Sequence, residues 1–149
     1  MSALDQQPSL TVVVPCLNEE GTIGAQLSAL ARQEWARPWE VIVADNGSTD
    51  DSVRVVEGYR GRLPGLRVVD ASDKRGQAHA LNVGVSEARA DAVAFCDADD
   101  EVAPGWVAAM GEALLSHELV GCAADGEKLN EPWVRAVRDL PPDRPSHLW

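Results

Sequence analysis

Five short apolar runs, four of them followed by a helix-spaced segment, constrain this chain more than any other feature. Leu10-Thr11-Val12-Val13-Val14 is a β-branched run closed by Pro15, the pattern of a buried strand. Ile23, Leu27, Leu30 and Ala31 then recur at helical spacing within residues 19–33, and Glu19 and Glu20 suit the positive end of such a helix. Glu40-Val41-Ile42-Val43-Ala44 is a second strand, after which Thr49 or Asp50 can cap a helix carrying Val53 and Val56. Leu66-Arg67-Val68-Val69 is a third strand. A helix over 76–89 follows, with Ala78, Leu81, Val85 and Ala88 as its expected apolar face. Ala92-Val93-Ala94-Phe95-Cys96 is a fourth strand. Pro104 then opens a helix carrying Trp106, Val107, Met110 and Leu114, and Leu119–Ala124 reads as a fifth strand. Strands that alternate with helices in this way predict an α/β fold: a mainly parallel sheet with helices on both faces. In such sheets a ligand sits beyond the carboxyl ends of the strands.

At 149 residues the chain is one domain long, and a chain of this size buries about 68–70% of its unfolded surface. Thirteen Lys plus Arg against 24 Asp plus Glu give a net charge of −11, which disfavours nucleic acid as a partner. One nucleotide can still bind where a metal or local cations offset the charge. No apolar run approaches the roughly 20 residues of a membrane span. Cys16, Cys96 and Cys122 are odd in number and far apart, which argues against a zinc ribbon or a disulfide framework. They suit the reducing cytoplasm. The expected division is an N-terminal tail over 1–9, the domain over 10–125, and a proline-interrupted region over 126–149 with helical patterning at 131–139.

Polar residues gather where the strands end. The first strand runs into Pro15-Cys16-Leu17-Asn18-Glu19-Glu20, the second into Asp45-Asn46-Gly47-Ser48-Thr49-Asp50. The third leads to Asp73-Lys74-Arg75-Gly76, and the fourth to Asp97-Ala98-Asp99-Asp100. If the Asp97-Ala98-Asp99 element is extended, both carboxylates point the same way. Such a pair repels by up to about 4 kcal/mol at 4 Å, and a hard divalent cation, Mg2+ or Mn2+, would relieve it. The same acids can instead cap the helix that follows. Asp45 can accept a nucleobase N–H or a ribose hydroxyl, or close an Asx turn with Gly47 and Ser48. Lys74 and Arg75 form a small basic island before Gly76, suited to phosphate or simply solvated. Gly84 inside a helix costs about 1 kcal/mol against Ala, which points to a close packing contact. His79, His117 and His147 stand alone, and no Ser–His–Asp or Cys–His set is evident.

The runs VVVPCLNEE, VIVADNGSTDDS, DKRGQAHALNVGVSEA and AVAFCDADDEVAPGW, in that order over residues 10–125, resemble the nucleotide-binding half of family 2 glycosyltransferases. The resemblance implies the Rossmann-like GT-A fold, incomplete here at its C-terminal side. It also implies transfer of a sugar, with inversion, from a nucleotide-diphosphate donor (a UDP-sugar first) to a saccharide, lipid or small-molecule acceptor. By the same resemblance, Pro15, Cys16, Leu17 and Glu19 line the base and ribose pocket and Asp45 holds the base. Lys74 to Gly76 border the nucleotide or its phosphates. Asp97 and Ala98 belong to the nucleotide-sugar site. Asp97 and Asp99, the DXD pattern, hold the metal.

Two departures stand out: Leu17 where members often have Tyr, and Asp45-Asn46 where an acidic pair is common. The family's catalytic carboxylate deprotonates the acceptor, and it is expected beyond Trp149 in a truncated chain. Glu127, Glu131, Asp139 and Asp143 are candidates by chemistry alone. Partners would hold such a cytoplasmic chain at the inner face of a membrane. A sugar-nucleotide pyrophosphorylase would want a Gly-rich basic loop after the first strand, and a dinucleotide-dependent dehydrogenase would want GxGxxG there. A phosphorylation-receiver domain would want its acids after the first and third strands. The alternative from another class is a non-catalytic nucleotide-binding module or an inactive remnant.

Overall fold

The structure, a computed structural model, describes residues 7–125. Four parallel strands, β1 (Leu10–Cys16), β2 (Trp39–Asp45), β3 (Arg67–Asp70) and β4 (Val93–Phe95), form one sheet in the order β3-β2-β1-β4. Helices α1 (Ile23–Ala31), α2 (Ser52–Glu57), α3 (Gln77–Glu87) and α4 (Trp106–Leu114) alternate with them. Expected and observed architectures agree, parallel sheet and helices on both faces included.

The side-chain alternation of β1 sorts the faces. Leu10, Val12, Val14 and Cys16 pack with Ile23, Leu27 and Leu30 of α1, Val56 of α2, and Val107 and Met110 of α4. On the opposite face, Ala44 of β2 packs with Ala71 and with Ala80 of α3. Every residue of β1 is buried, because helices cover both sides of this central strand. That is why its sequence reads as a continuous apolar run. The register places Cys16 beside Asp45 and Asp45 beside Asp70, so three strands end level with one another.

Several local expectations are corrected. Leu119–Ala124 forms no strand: no strand among the described residues pairs with it, and Leu119 is 75% exposed. Helix α1 begins at Ile23, not near Glu19, because Glu19 and Glu20 serve a preceding turn. Helix α4 begins at Trp106 with Gly105 as its N-cap, and Pro104 lies in the turn before it. Asp51 is the N-cap of α2 by backbone, although Asp50 Oδ1 accepts the Ser52 N–H at 3.0 Å as a cap would. The buried side of α3 is Ala80 and Gly84, not the stripe from Ala78 to Ala88; Val85 is 44% exposed. Small residues at 80 and 84 let this helix lie close to the sheet, and that turns the larger side chains to its flank. The 126–149 region, including its expected helix over 131–139, lies outside the described residues.

Candidate functional site

The loops after β1 and β2 are laced to each other. Asn18 N–H donates to Ser48 Oγ (3.0 Å), and Thr49 N–H donates to Asn18 Oδ1 (2.8 Å). Glu20 N–H donates to Asp50 Oδ2 (3.1 Å), and Asp51 N–H returns to Glu20 Oε2 (2.9 Å). Glu19 N–H donates to Ser52 Oγ at 2.7 Å. Asn18 takes a left-handed backbone conformation with φ 55°, which Asn tolerates better than most residues.

A second tie joins the strand ends to the loop before α3. The buried Asn46 carboxamide donates through Nδ2 to the carbonyls of Ala71 (2.6 Å) and Lys74 (2.8 Å). Its Oδ1 accepts the Gly76 N–H at 2.8 Å. Gly76 has φ 132°, a conformation that favours glycine, and it opens α3 toward the strand ends. Its own N–H is engaged by Asn46, which ties the start of α3 to the end of β2.

The acidic segment after β4 is a turn rather than an extended run. Asp100 N–H donates to the Asp97 carbonyl at 3.3 Å, which corrects the geometry from which the paired carboxylates were expected. Ala98 is buried in the core and anchors the turn, while Asp97 and Asp99 are exposed. Both acids still reach one cavity.

That cavity, about 570 Å³, opens at the carboxyl ends of the strands. It is lined by Pro15, Cys16, Leu17 and Glu19 from the first loop, and by Asn46 after β2. Arg75, Gly76, Gln77 and Ala80 come from the α3 entrance, and Asp97, Ala98 and Asp99 from the turn after β4. Of the residues named from sequence, Asp45 and Lys74 are not among its walls. The Asp45 carboxylate accepts the Ser48 N–H at 3.2 and 3.3 Å, an Asx turn, while the Lys74 carbonyl is held by Asn46. Burial raises the Cys16 thiol above its ordinary pKa despite hydrogen bonds with Ser48 and Ser52, and the charges of Asp45 and Glu19 push the same way. Cys16 is therefore a protonated wall residue at neutral pH, not a thiolate nucleophile.

In the sequence Asn46 stands out only as a missing charge, and nothing in their chemistry marks Gln77 or Ala80. Their signal was position alone: Asn46 follows a strand end, and Gln77 begins a helix. Among the described residues no cluster of three or more His, Cys, Asp or Glu could hold a metal.

Comparison with known proteins decides the family. The profile described as "Glycosyl transferase family 2" matches residues 11–144. The chain belongs to glycosyl transferase family 2. A curated relative of this family 2 chain is 4,4'-diaponeurosporenoate glycosyltransferase of Staphylococcus aureus. It is 40% identical over 93 residues, which are 61% of this chain and 24% of the relative. The chain thus spans about a quarter of the length of the curated relatives it matches. Among solved structures, S. aureus TarS 1–349 in complex with UDP-GlcNAc superposes with a TM-score of 0.63 at 27% identity, over 78% of this chain and 37% of that one. The mannosyltransferase PcManGT of Pyrobaculum calidifontis, in complex with GDP-Man and Mn2+, gives 0.67 at 30% identity, over 81% and 37%. The fold is that of GT-A glycosyltransferases, of which the chain covers a part. No helix among the described residues is long and apolar enough to cross a membrane.

Proposed function

We propose that this chain forms the donor site of an inverting glycosyltransferase that takes a sugar from a nucleoside diphosphate, UDP first, to a saccharide, lipid or small-molecule acceptor. The observation that carries this reading is the cavity at the strand ends, where the Asp97–Asp99 turn faces Arg75 and Gly76 across one space. The solved relatives with UDP-GlcNAc and with GDP-Man and Mn2+ support it.

In this reading Pro15, Cys16, Leu17 and Glu19 border the base and ribose. Asp45, just outside the cavity's walls, fixes the adjoining turn, and the family resemblance assigns it the base. Arg75 supplies a permanent positive charge for the diphosphate in a chain of net charge −11. Lys74 adds longer-range attraction. Asp97 and Asp99 offer hard oxygen ligands, and two carboxylates fit an ion that completes its shell with phosphate oxygens and water. Mg2+ or Mn2+ there would neutralise charge on the departing diphosphate. Among the described residues, the carboxylates lining the cavity are Glu19, Asp97 and Asp99. In this reading the acceptor's general base lies outside the described residues, as the family resemblance implies. Glu127, Glu131, Asp139 and Asp143 are the candidates in that region by chemistry. Such a domain works in the cytoplasm.

Calorimetric titration with UDP, GDP and dTDP, with and without Mn2+, tests the reading. We expect metal-dependent binding of UDP. Asp99→Ala weakens it by about tenfold or more, the loss of one charged ligand contact. Folded protein that binds none of the three nucleotides would overturn the donor-site reading.

A further inference from the structure

Asp97 is held from both faces of the sheet. On the α1 side, Gln26 is fully buried. Its Nε2 donates to the Asp97 carbonyl at 2.9 Å, and its Oε1 accepts the Val102 N–H at 2.9 Å. On the α3 side, Gln77 Nε2 donates to Asp97 Oδ1 at 2.8 Å. One carboxamide thus fixes the path of the main chain through the acidic turn, and the other fixes the carboxylate that the turn presents.

We propose that Gln26 and Gln77 are positioning residues that set the geometry in which Asp97 and Asp99 meet a divalent cation and a diphosphate. The proposal rests on the donor-site reading above. A buried carboxamide in an apolar helix face is stable only when its donors and acceptor are matched, and Gln26 matches its own across the mouth of the 97–102 loop. A hydrogen bond from Gln77 occupies one lone-pair site of Asp97 and leaves the remaining sites for a cation. Outer groups of this kind orient the ligands, and their loss typically weakens metal affinity 10- to 100-fold. Just past the C-terminal end of α1, Gln33 donates to the Ala103 carbonyl (2.9 Å) and accepts the Val107 N–H (3.1 Å). The segment after the turn therefore stays anchored when Gln26 is replaced.

The test compares the 149-residue chain with its Gln26→Met and Gln77→Ala variants. For each, UDP affinity is measured with Mn2+ and with a chelator, and the ratio of the two is the readout. Mn2+ spin resonance of the complex is recorded alongside. We expect the ratio to fall about tenfold in both variants, with an altered Mn2+ spectrum. In Gln26→Met, the chelator affinity stays within about twofold of the parent, the range of error of such comparisons. Should Gln26→Met fail to fold, Gln77→Ala, on the exposed side, decides the matter alone. Unchanged ratios beside a parent that shows metal-dependent binding would overturn the proposal and leave the donor site standing. Equal loss with and without metal would also overturn it, since it would reveal a merely structural role. A parent that binds UDP equally with and without Mn2+ would overturn this proposal alone, and a parent that binds no nucleotide would bring down the donor reading with it.

Discussion

An alanine at position 84 would carry its Cβ to 2.3 Å from Val13 Cγ1 and 3.2 Å from Cγ2. No rotation of a Cβ relieves that, so α3 must lift from β1 or Val13 must leave its rotamer. Overpacking of this kind costs about 1–3 kcal/mol, and urea denaturation of Gly84→Ala should show that loss. The expected close contact at this glycine was legible from its cost inside a helical segment. The partner was not, because nothing in Val13 marks it as facing α3 rather than α1. The site residues divide along the same line. Cys16, Asp97 and Asp99 were readable because strand ends in a parallel sheet are where ligands sit. Gln26, Gln33 and Asn46 were not, since a carboxamide advertises no chemistry until its partners are known, here as many as 76 residues away.

At the scale of elements, the strand starts carry a charge that the apolar pattern hides. Glu40, 3% exposed, pairs with Arg67 on β3 at 3.2 Å and accepts from Thr11 Oγ1 on β1 at 2.9 Å. It also accepts the Arg89 N–H beyond α3 at 2.9 Å. One carboxylate thus joins three strands and the chain leaving α3. Glu40→Ala strands a partly buried guanidinium and two donors, and we expect a loss of about 3 kcal/mol, measured by the shift in the urea midpoint at unchanged slope. The elements themselves were legible from periodicity, because β1 and β2 are covered on both faces and helices recur between strands. The faces and ends were not. The α3 stripe slid because small residues, not large ones, make its contact. The Leu119–Ala124 run was apolar enough for a strand, but pairing depends on a neighbour that composition does not reveal.

On the scale of the whole molecule, the sheet as formed by the described residues ends at β4. Phe95, 49% exposed, stands beside Val13 in register and lies on the same face as α3, where Val85 is also exposed. A short edge strand with an uncovered aromatic residue invites pairing between copies. Light scattering of the 149-residue chain should show apparent mass rising with concentration, and Phe95→Ser should reduce it. A monomer at every concentration would remove this expectation.

The ties that frame the acidic turn and the loop before α3 come from Gln26, Gln33 and Asn46, none of which carries charge. Carboxamides neither titrate nor attract counter-ions, so added electrolyte reaches the ligand's contacts and leaves this scaffold alone. Ionic strength then becomes a dial: weakening of nucleotide binding with salt reports the meeting of Arg75, acids and phosphate rather than a slackening of these carboxamide ties.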